Sequence, residues 1–217
     1  MTNLRVILAD DHPFVLLGVR AALRAHRDIT IVGEATGPTS LINLLRSVPC
    51  DVLVTDLAMP EANGAMGDGL HLIRRIRGEW PELRVVALTG LTNTAILSSV
   101  LSDGVVGIVN KTEAMSELVA AVRCAGDCRV HIGESVREAL DKLGRTPDGT
   151  WRIRRLSPRE AEVIGLFAQG KSISEIAHVL GRDARTVSRQ KRIAMAKLGV
   201  TNDPGLYAYV KANGVVR

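Results

Sequence analysis

The rhythm of apolar residues divides the chain in two. Over roughly its first 125 positions, short continuous apolar runs alternate with stretches where apolar residues recur every third or fourth place. The runs Leu4–Ala9, Ile29–Ala35, 51–56, 85–89 and 105–109 have the length and bounding turn residues of strands buried on both faces. Between them, helices are expected from Phe14, over Pro38–Ser47, around 70–76 and over 95–101. The stretch 113–125 closes the series with Met115, Leu118, Val119 and Val122 on one face. Regular alternation of strand and helix predicts an α/β unit, a doubly wound five-stranded parallel sheet covered on both sides.

A different pattern occupies the last third. Ser157, Pro158 and Glu160 form a capping box that starts a helix carrying Ala161, Ile164, Leu166 and Phe167 inward, and Gly170 ends it. Ser172 and Glu175 open a second helix running to Leu180. After a turn at Gly181-Arg182-Asp183, a longer basic helix spans 184–198, with Val187, Ala194, Met195 and Leu198 as its inward stripe. A last helix over 203–212 packs beneath. Two helices joined by a tight glycine turn, the second basic, predict a small all-α helix-turn-helix unit. The expected division is 1–126, a linker over 127–152 with a short helix at 134–143 and a Gly/Pro-containing stretch at 144–149, then 153–217.

Charge supports that division. Of the 217 residues, 46% are hydrophobic, and the net charge of +5 is unevenly placed. Residues 1–150 carry 15 Lys+Arg against 18 Asp+Glu, whereas 151–217 carry 13 against 5. A basic unit behind a slightly acidic one points to a polyanion partner, nucleic acid before membrane. The three cysteines, Cys50, Cys124 and Cys128, show no zinc-ribbon spacing, and their odd number argues against a disulfide framework. With no secretory leader and no apolar run of bilayer length, a soluble cytoplasmic protein is expected.

The chemistry gathers where the strands end. Asp10 and Asp11 follow the first strand, Asp56 ends the third, Thr89 the fourth, and Lys111 follows the fifth. In an open parallel sheet all these ends share one edge, the edge at which ligands bind. Three carboxylates held together repel one another unless a cation joins them, and Mg²⁺ takes such oxygen ligands. Lys111 adds a point charge and Thr89 a hydroxyl donor, a set that suits a phosphoryl group on or beside Asp56. His12 is expected only to start a helix.

Asp10-Asp11, Asp56 followed by Met59-Pro60, Thr89 and Lys111 together resemble the receiver domain of two-component response regulators over roughly residues 4–125. The resemblance implies strand order 2-1-3-4-5 and makes Asp56 the phospho-acceptor, served by a sensor histidine kinase or phosphotransfer protein. It implies Mg²⁺ ligation by Asp11, Asp56 and the Ala58 carbonyl, with Asp10 holding a metal-bound water and Lys111 and Thr89 binding phosphoryl oxygens. Two features depart from the common receiver. The aromatic residue usual shortly before the lysine is absent, with Ile108 in that region, and the glycine-rich loop 61–69 is long. With the Leu-Thr and Ala-Ile-Leu-Ser pattern from Leu88, these features resemble the Rcs phosphorelay branch of the family.

The stretch 156–163, with Ser174-Glu175-Ile176-Ala177, Thr186-Val187 and Lys197-Leu198-Gly199-Val200, resembles the LuxR-type output domain over roughly 153–213. Receiver plus this output is the NarL/FixJ class. On the basic helix, Arg185, Ser188, Arg189 and Arg192 are expected on outward faces, where arginine can bond guanine edges. Thr186, Gln190 and Lys191 suit phosphate. The whole predicts a non-enzymatic transcription regulator, switched by phosphorylation, that binds DNA as a homodimer or as a heterodimer with an auxiliary regulator. The rival reading is control by protein partners with Asp56 phosphorylation dispensable, which the missing aromatic favours.

Overall fold

The computed structural model describes residues 3–60, 69–90, 93–142, 156–198, 200 and 202–213. The elements in chain order are β1 (Leu4–Ala9), α1 (Pro13–Arg24), β2 (Ile29–Ala35), α2 (Pro38–Ser47), β3 (Val52–Thr55), α3 (Gly69–Glu79), β4 (Arg84–Thr89), α4 (Thr94–Ser102), β5 (Gly107–Asn110) and α5 (Met115–Gly126). They are followed by β6 (His131–Ile132), α6 (Glu134–Asp141), α7 (Pro158–Ala168), α8 (Ile173–Leu180), α9 (Ala184–Lys197) and α10 (Asp203–Asn213).

All strand pairs are parallel, in the order β2-β1-β3-β4-β5-β6. Side chains alternate between the two faces of the sheet, so both must be apolar. Ile7, Leu53, Val85, Ala87 and Ile108 pack on one face with α2, α3, α4 and α6 residues such as Leu41, Ile73, Leu97 and Val136. Val6, Leu8, Val54, Val86 and Val109 pack on the other with Leu16 and Val19 of α1 and Leu118 and Val122 of α5.

The sixth strand corrects the expected linker. His131 N–H donates to the Val106 carbonyl at 2.9 Å and Gly133 N–H to the Ile108 carbonyl at 2.8 Å, which adds β6 to the sheet edge. Ile132, Val136 and Leu140 are buried in the same core as Ile108. The stretch 131–141 is therefore part of the α/β unit, where a linker was expected from 127. A two-residue strand is too short for any periodicity to betray it. The Gly/Pro-containing stretch 144–149 and the loop 61–68 lie outside the described residues.

The second unit closes on its own core of Val163, Ile164, Phe167, Ile176, Val187, Ala194, Leu206 and Val210. Both expected capping boxes are formed, Ser157 with Glu160 and Ser172 with Glu175. Gly181 ends α8 in the left-handed conformation at φ 60°, which a glycine adopts without steric cost.

Candidate functional site

Register brings the polar strand ends together. Ala9 of β1 lies beside Thr55 of β3, and Asp56 N–H donates to the Ala9 carbonyl at 2.8 Å, so the acids that follow the two strands are neighbours. Thr89 pairs with Asn110 across β4 and β5, and Lys111 N–H donates to the Thr89 carbonyl at 2.8 Å. The sheet thereby sets Asp10, Asp56, Thr89 and Lys111 along one edge. Asp10, Asp56 and Thr89 are buried.

Lys111 Nζ lies 2.7 Å from Asp10 Oδ2 and 2.8 Å from Asp56 Oδ2, a single cation shared by two carboxylates. Burial works against its charge, yet the contacts to Asp10 and Asp56 outweigh burial and raise the ammonium above its ordinary value. Asp56 Oδ1 accepts from the Ala58 N–H at 3.2 Å, which holds the turn after β3 against the acid. That turn is tight from the other side as well, because a Cβ on Gly69 would collide with the Leu57 carbonyl.

The donor set fits a hard divalent cation. Ligand atoms of Asp10, Asp11, Asp56 and also His12 lie within 4.8 Å of one another. Asp10 Oδ2 and Asp11 Oδ1 are buried and accept no well-formed hydrogen bond, although Lys111 Nζ and His12 Nδ1 stand at ion-pair distance, 2.7 Å and 2.9 Å. Carboxylate oxygens so placed suit Mg²⁺. The sequence had given His12 no part in this cluster. Its imidazole follows the two acids on an exposed turn, also 3.2 Å from Asp10 Oδ1, and only the adjacency Asp-Asp-His signalled it.

In the second unit, Asp183 caps α9 by accepting from Arg185 N–H at 2.7 Å. Ala184, Arg185, Ser188, Arg189 and Arg192 line one concavity, and Thr186 is exposed beside them. Two residues expected on the phosphate side are placed differently. Gln190 is half-buried and accepts from Arg182 Nη1 at 3.4 Å. Lys191 turns inward: its ammonium ion-pairs with Asp203 at 2.7 Å and sits over the Phe167 ring, so its assignment to phosphate is corrected. The spacing Val187, Lys191, Ala194, Leu198 puts the lysine on the inward stripe, which the sequence could have shown.

Two family models match the chain: the response regulator receiver domain over residues 6–123 and the luxR family of bacterial regulatory proteins over 154–210. The transcriptional regulatory protein RcsB of Escherichia coli (strain K12) is 42% identical over 212 residues, 98% of this chain and 96% of that protein. The transcriptional regulatory protein MctR of Rhizobium johnstonii is 30% identical over 215 residues, 99% of this chain and 96% of that protein. Among solved structures, RcsB from Salmonella enterica serovar Typhimurium bound to promoter P1flhDC with the phosphomimetic BeF3⁻ superposes with a TM-score of 0.83 at 42% identity. That match covers 97% of this chain and 99% of the other. A structure of two RcsB dimers bound to two parallel DNAs gives a TM-score of 0.80 at 41% identity, over 97% and 99%. An edge of acids around one lysine, followed by a capped helix-turn-helix and matched over nearly its whole length, shows that the chain belongs to the response regulators with a receiver and a LuxR-type output domain.

Proposed function

We propose that this protein is a cytoplasmic transcription regulator whose DNA binding is switched by Mg²⁺-dependent phosphorylation of Asp56. The observation that carries this reading is the Lys111 ammonium held between Asp10 and Asp56, both buried, at the carboxyl edge of the sheet. An Asp56 carboxylate oxygen attacks the phosphorus of a phosphohistidine on a sensor kinase or phosphotransfer protein. The P–N bond breaks, the imidazole departs and takes up a proton, and an acyl phosphate remains on Asp56. Lys111 pairs with one phosphoryl oxygen and the Thr89 hydroxyl donates to another. Asp11, Asp56 and the Ala58 carbonyl are the residues to hold Mg²⁺, with Asp10 on a metal-bound water. The ion supplies charge neutralisation for the transferring group.

The output lies on α9. Arg185, Ser188, Arg189 and Arg192 form the face for the major groove, Arg189 for a base edge, and Thr186 faces phosphate. Two such domains, in a homodimer or a heterodimer with an auxiliary regulator, bind two half-sites of double-stranded DNA. No helix among the described residues is long and apolar enough to cross a membrane.

Acetyl phosphate with Mg²⁺ tests the switch. The wild type is expected to incorporate one phosphoryl group that Asp56→Ala does not, and to bind a selected DNA site more tightly once labelled. No incorporation overturns the reading. Incorporation with no change in DNA affinity favours control by protein partners, the reading to which the wholly buried, non-aromatic Ile108 lends weight.

A further inference from the structure

Glu113 stands two residues after Lys111 and touches neither Asp10 nor Asp56, yet its carboxylate is held from two sides. Oε2 accepts from the Asn110 N–H at 2.9 Å. Oε1 accepts from the Ser135 N–H at 2.7 Å and from the Ser135 hydroxyl at 2.9 Å. Gly133 packs so closely on the same carboxylate that a Cβ there would collide with it. One side chain therefore ties the end of β5, next to Lys111, to the first turn of α6.

The position of α6 gives this tie its consequence. Val136 and Leu140 pack into a core with Leu97 and Val100 of α4 and with Ile108 of β5. The helix thus rests on α4, which follows Thr89, and on β5, which leads to Lys111. Ile108 lies wholly within that core and offers no ring to swing inward, so the usual aromatic route out of a receiver is missing.

We propose that Glu113 is the joint through which the charge on Asp56 reaches β6, α6 and the segment leading to the DNA-binding helices. The proposal rests on the reading of Asp56 as phospho-acceptor. Lys111 is now divided between Asp10 and Asp56. A phosphoryl group adds negative charge on the Asp56 side and draws the ammonium from Asp10, pulling on the peptide between Asn110 and Lys111. Glu113 grips the adjoining peptide, between Val109 and Asn110, at Asn110 N–H, and grips α6 at Ser135 N–H. Leaving either donor without an acceptor is unfavourable, so α6 follows the turn.

The test uses the full chain and hydrogen exchange across residues 131–141, with and without beryllofluoride and Mg²⁺, beside DNA affinity before and after acetyl phosphate. In the wild type, beryllofluoride should change exchange in α6. Glu113→Gln keeps the shape but puts an amide donor where one of the two clasped N–H groups needs an acceptor. It should incorporate phosphate at Asp56 to the wild-type extent, lose the α6 response, and lose most of the phosphorylation-dependent gain in DNA affinity. A full α6 response and full gain in Glu113→Gln overturn the proposal. Ser135→Ala removes one donor and leaves Glu113 in place, which keeps the test available if the glutamine variant melts early. It should show a reduced response, and an undiminished one counts against the joint. Phosphate incorporation separates the two readings: none in the wild type discards the switch itself, while incorporation with an intact response in the variants discards only the joint.

Discussion

The ε-ammonium of Lys191 sits 3.8 Å from the centre of the Phe167 ring. It also ion-pairs with Asp203 at 2.7 Å, and its side chain is only 11% exposed. The ring beneath it stacks on Tyr207 with centroids 4.6 Å apart, so the lysine stem covers part of the small core that joins α7, α9 and α10. A cation engaged by an aromatic face and a carboxylate is not presented to a DNA phosphate. Lys191→Ala is therefore expected to lower the stability of the output domain by about 1–2 kcal/mol, through lost packing and cation–π attraction. The salt dependence of DNA binding should keep its slope. A slope flattened by about one, the amount for one lost phosphate contact, would return Lys191 to the interface.

Arg189 is the contrasting case. It lies on the exposed concavity with Arg185, Ser188 and Arg192, and among the described residues its guanidinium meets no acceptor. Arg189→Ala should weaken binding to a selected site by about 1–3 kcal/mol and relax base preference at one position, the signature of a lost bidentate contact. Selection of bound fragments with parent and variant measures both. An unchanged affinity and unchanged preference remove Arg189 from the reading set.

Lys111→Met would leave the buried carboxylates of Asp10 and Asp56 facing each other with no cation between them. Breaking a buried pair from one side costs about 3–5 kcal/mol, and the lower end applies here because solvent still reaches the lysine. Urea denaturation should show a loss near that lower end, with Mg²⁺ restoring more stability to the variant than it adds to the parent. Equal stability of the two proteins without Mg²⁺ would mean that the acids do not depend on the lysine.

What the sequence disclosed and what it hid follow from the length of each signal. Asp10, Asp56, Thr89 and Lys111 were legible because each interrupts an apolar run at the same point, and the parallel register converts that repetition into proximity. Ser157 and Glu160 were legible because a capping box is a local bond set. β6 was hidden because two residues carry no period, and the bonds from His131 and Gly133 to Val106 and Ile108, with the burial of Ile132, Val136 and Leu140, reveal that the stretch belongs to the α/β unit. The Glu113 tie was hidden because it spans 22 residues to Ser135 and has no local pattern. Lys191 was misassigned because residue type was weighed above its place on the helical stripe.

The end of α5 carries a measurable strain. Arg129 N–H donates to the Cys124 carbonyl at 2.7 Å and Cys128 N–H to the Ala125 carbonyl at 3.0 Å, the pair of bonds of a Schellman motif. The motif forces its left-handed position on Cys128, at φ 57°, the one non-glycine residue with positive φ among those described. A Cβ there costs about 1–2 kcal/mol, partly offset by the greater freedom that glycine gives the unfolded chain. Cys128→Gly is thus expected to raise stability by about 0.5–1 kcal/mol, whereas Cys128→Val should lower it. Thermal melts of the three proteins check the order, and a glycine variant less stable than the parent would contradict the strain.

Acid behaviour tests the opposite edge of the sheet. Arg123 donates from Nε and Nη2 to the two oxygens of Asp28, each at 2.9 Å. These bonds first, and a backbone hydrogen bond second, lower the Asp28 carboxyl from its ordinary 3.8 to about 2. Between those values the unfolded chain has taken up a proton that the folded chain has not, so acid draws the equilibrium toward unfolding. The contribution is complete above pH 3.8 and disappears as pH falls through about 2. Because the pair is solvent-exposed, screening keeps this contribution small at neutral pH, and its loss is read as a slope in the acid limb. In Arg123→Met the Asp28 midpoint, followed by carboxyl-carbon NMR, should rise toward 3.8, and the fall of stability across that window should become shallower. A midpoint that stays near 2 in the variant would transfer the cause from the guanidinium to the backbone around Asp28.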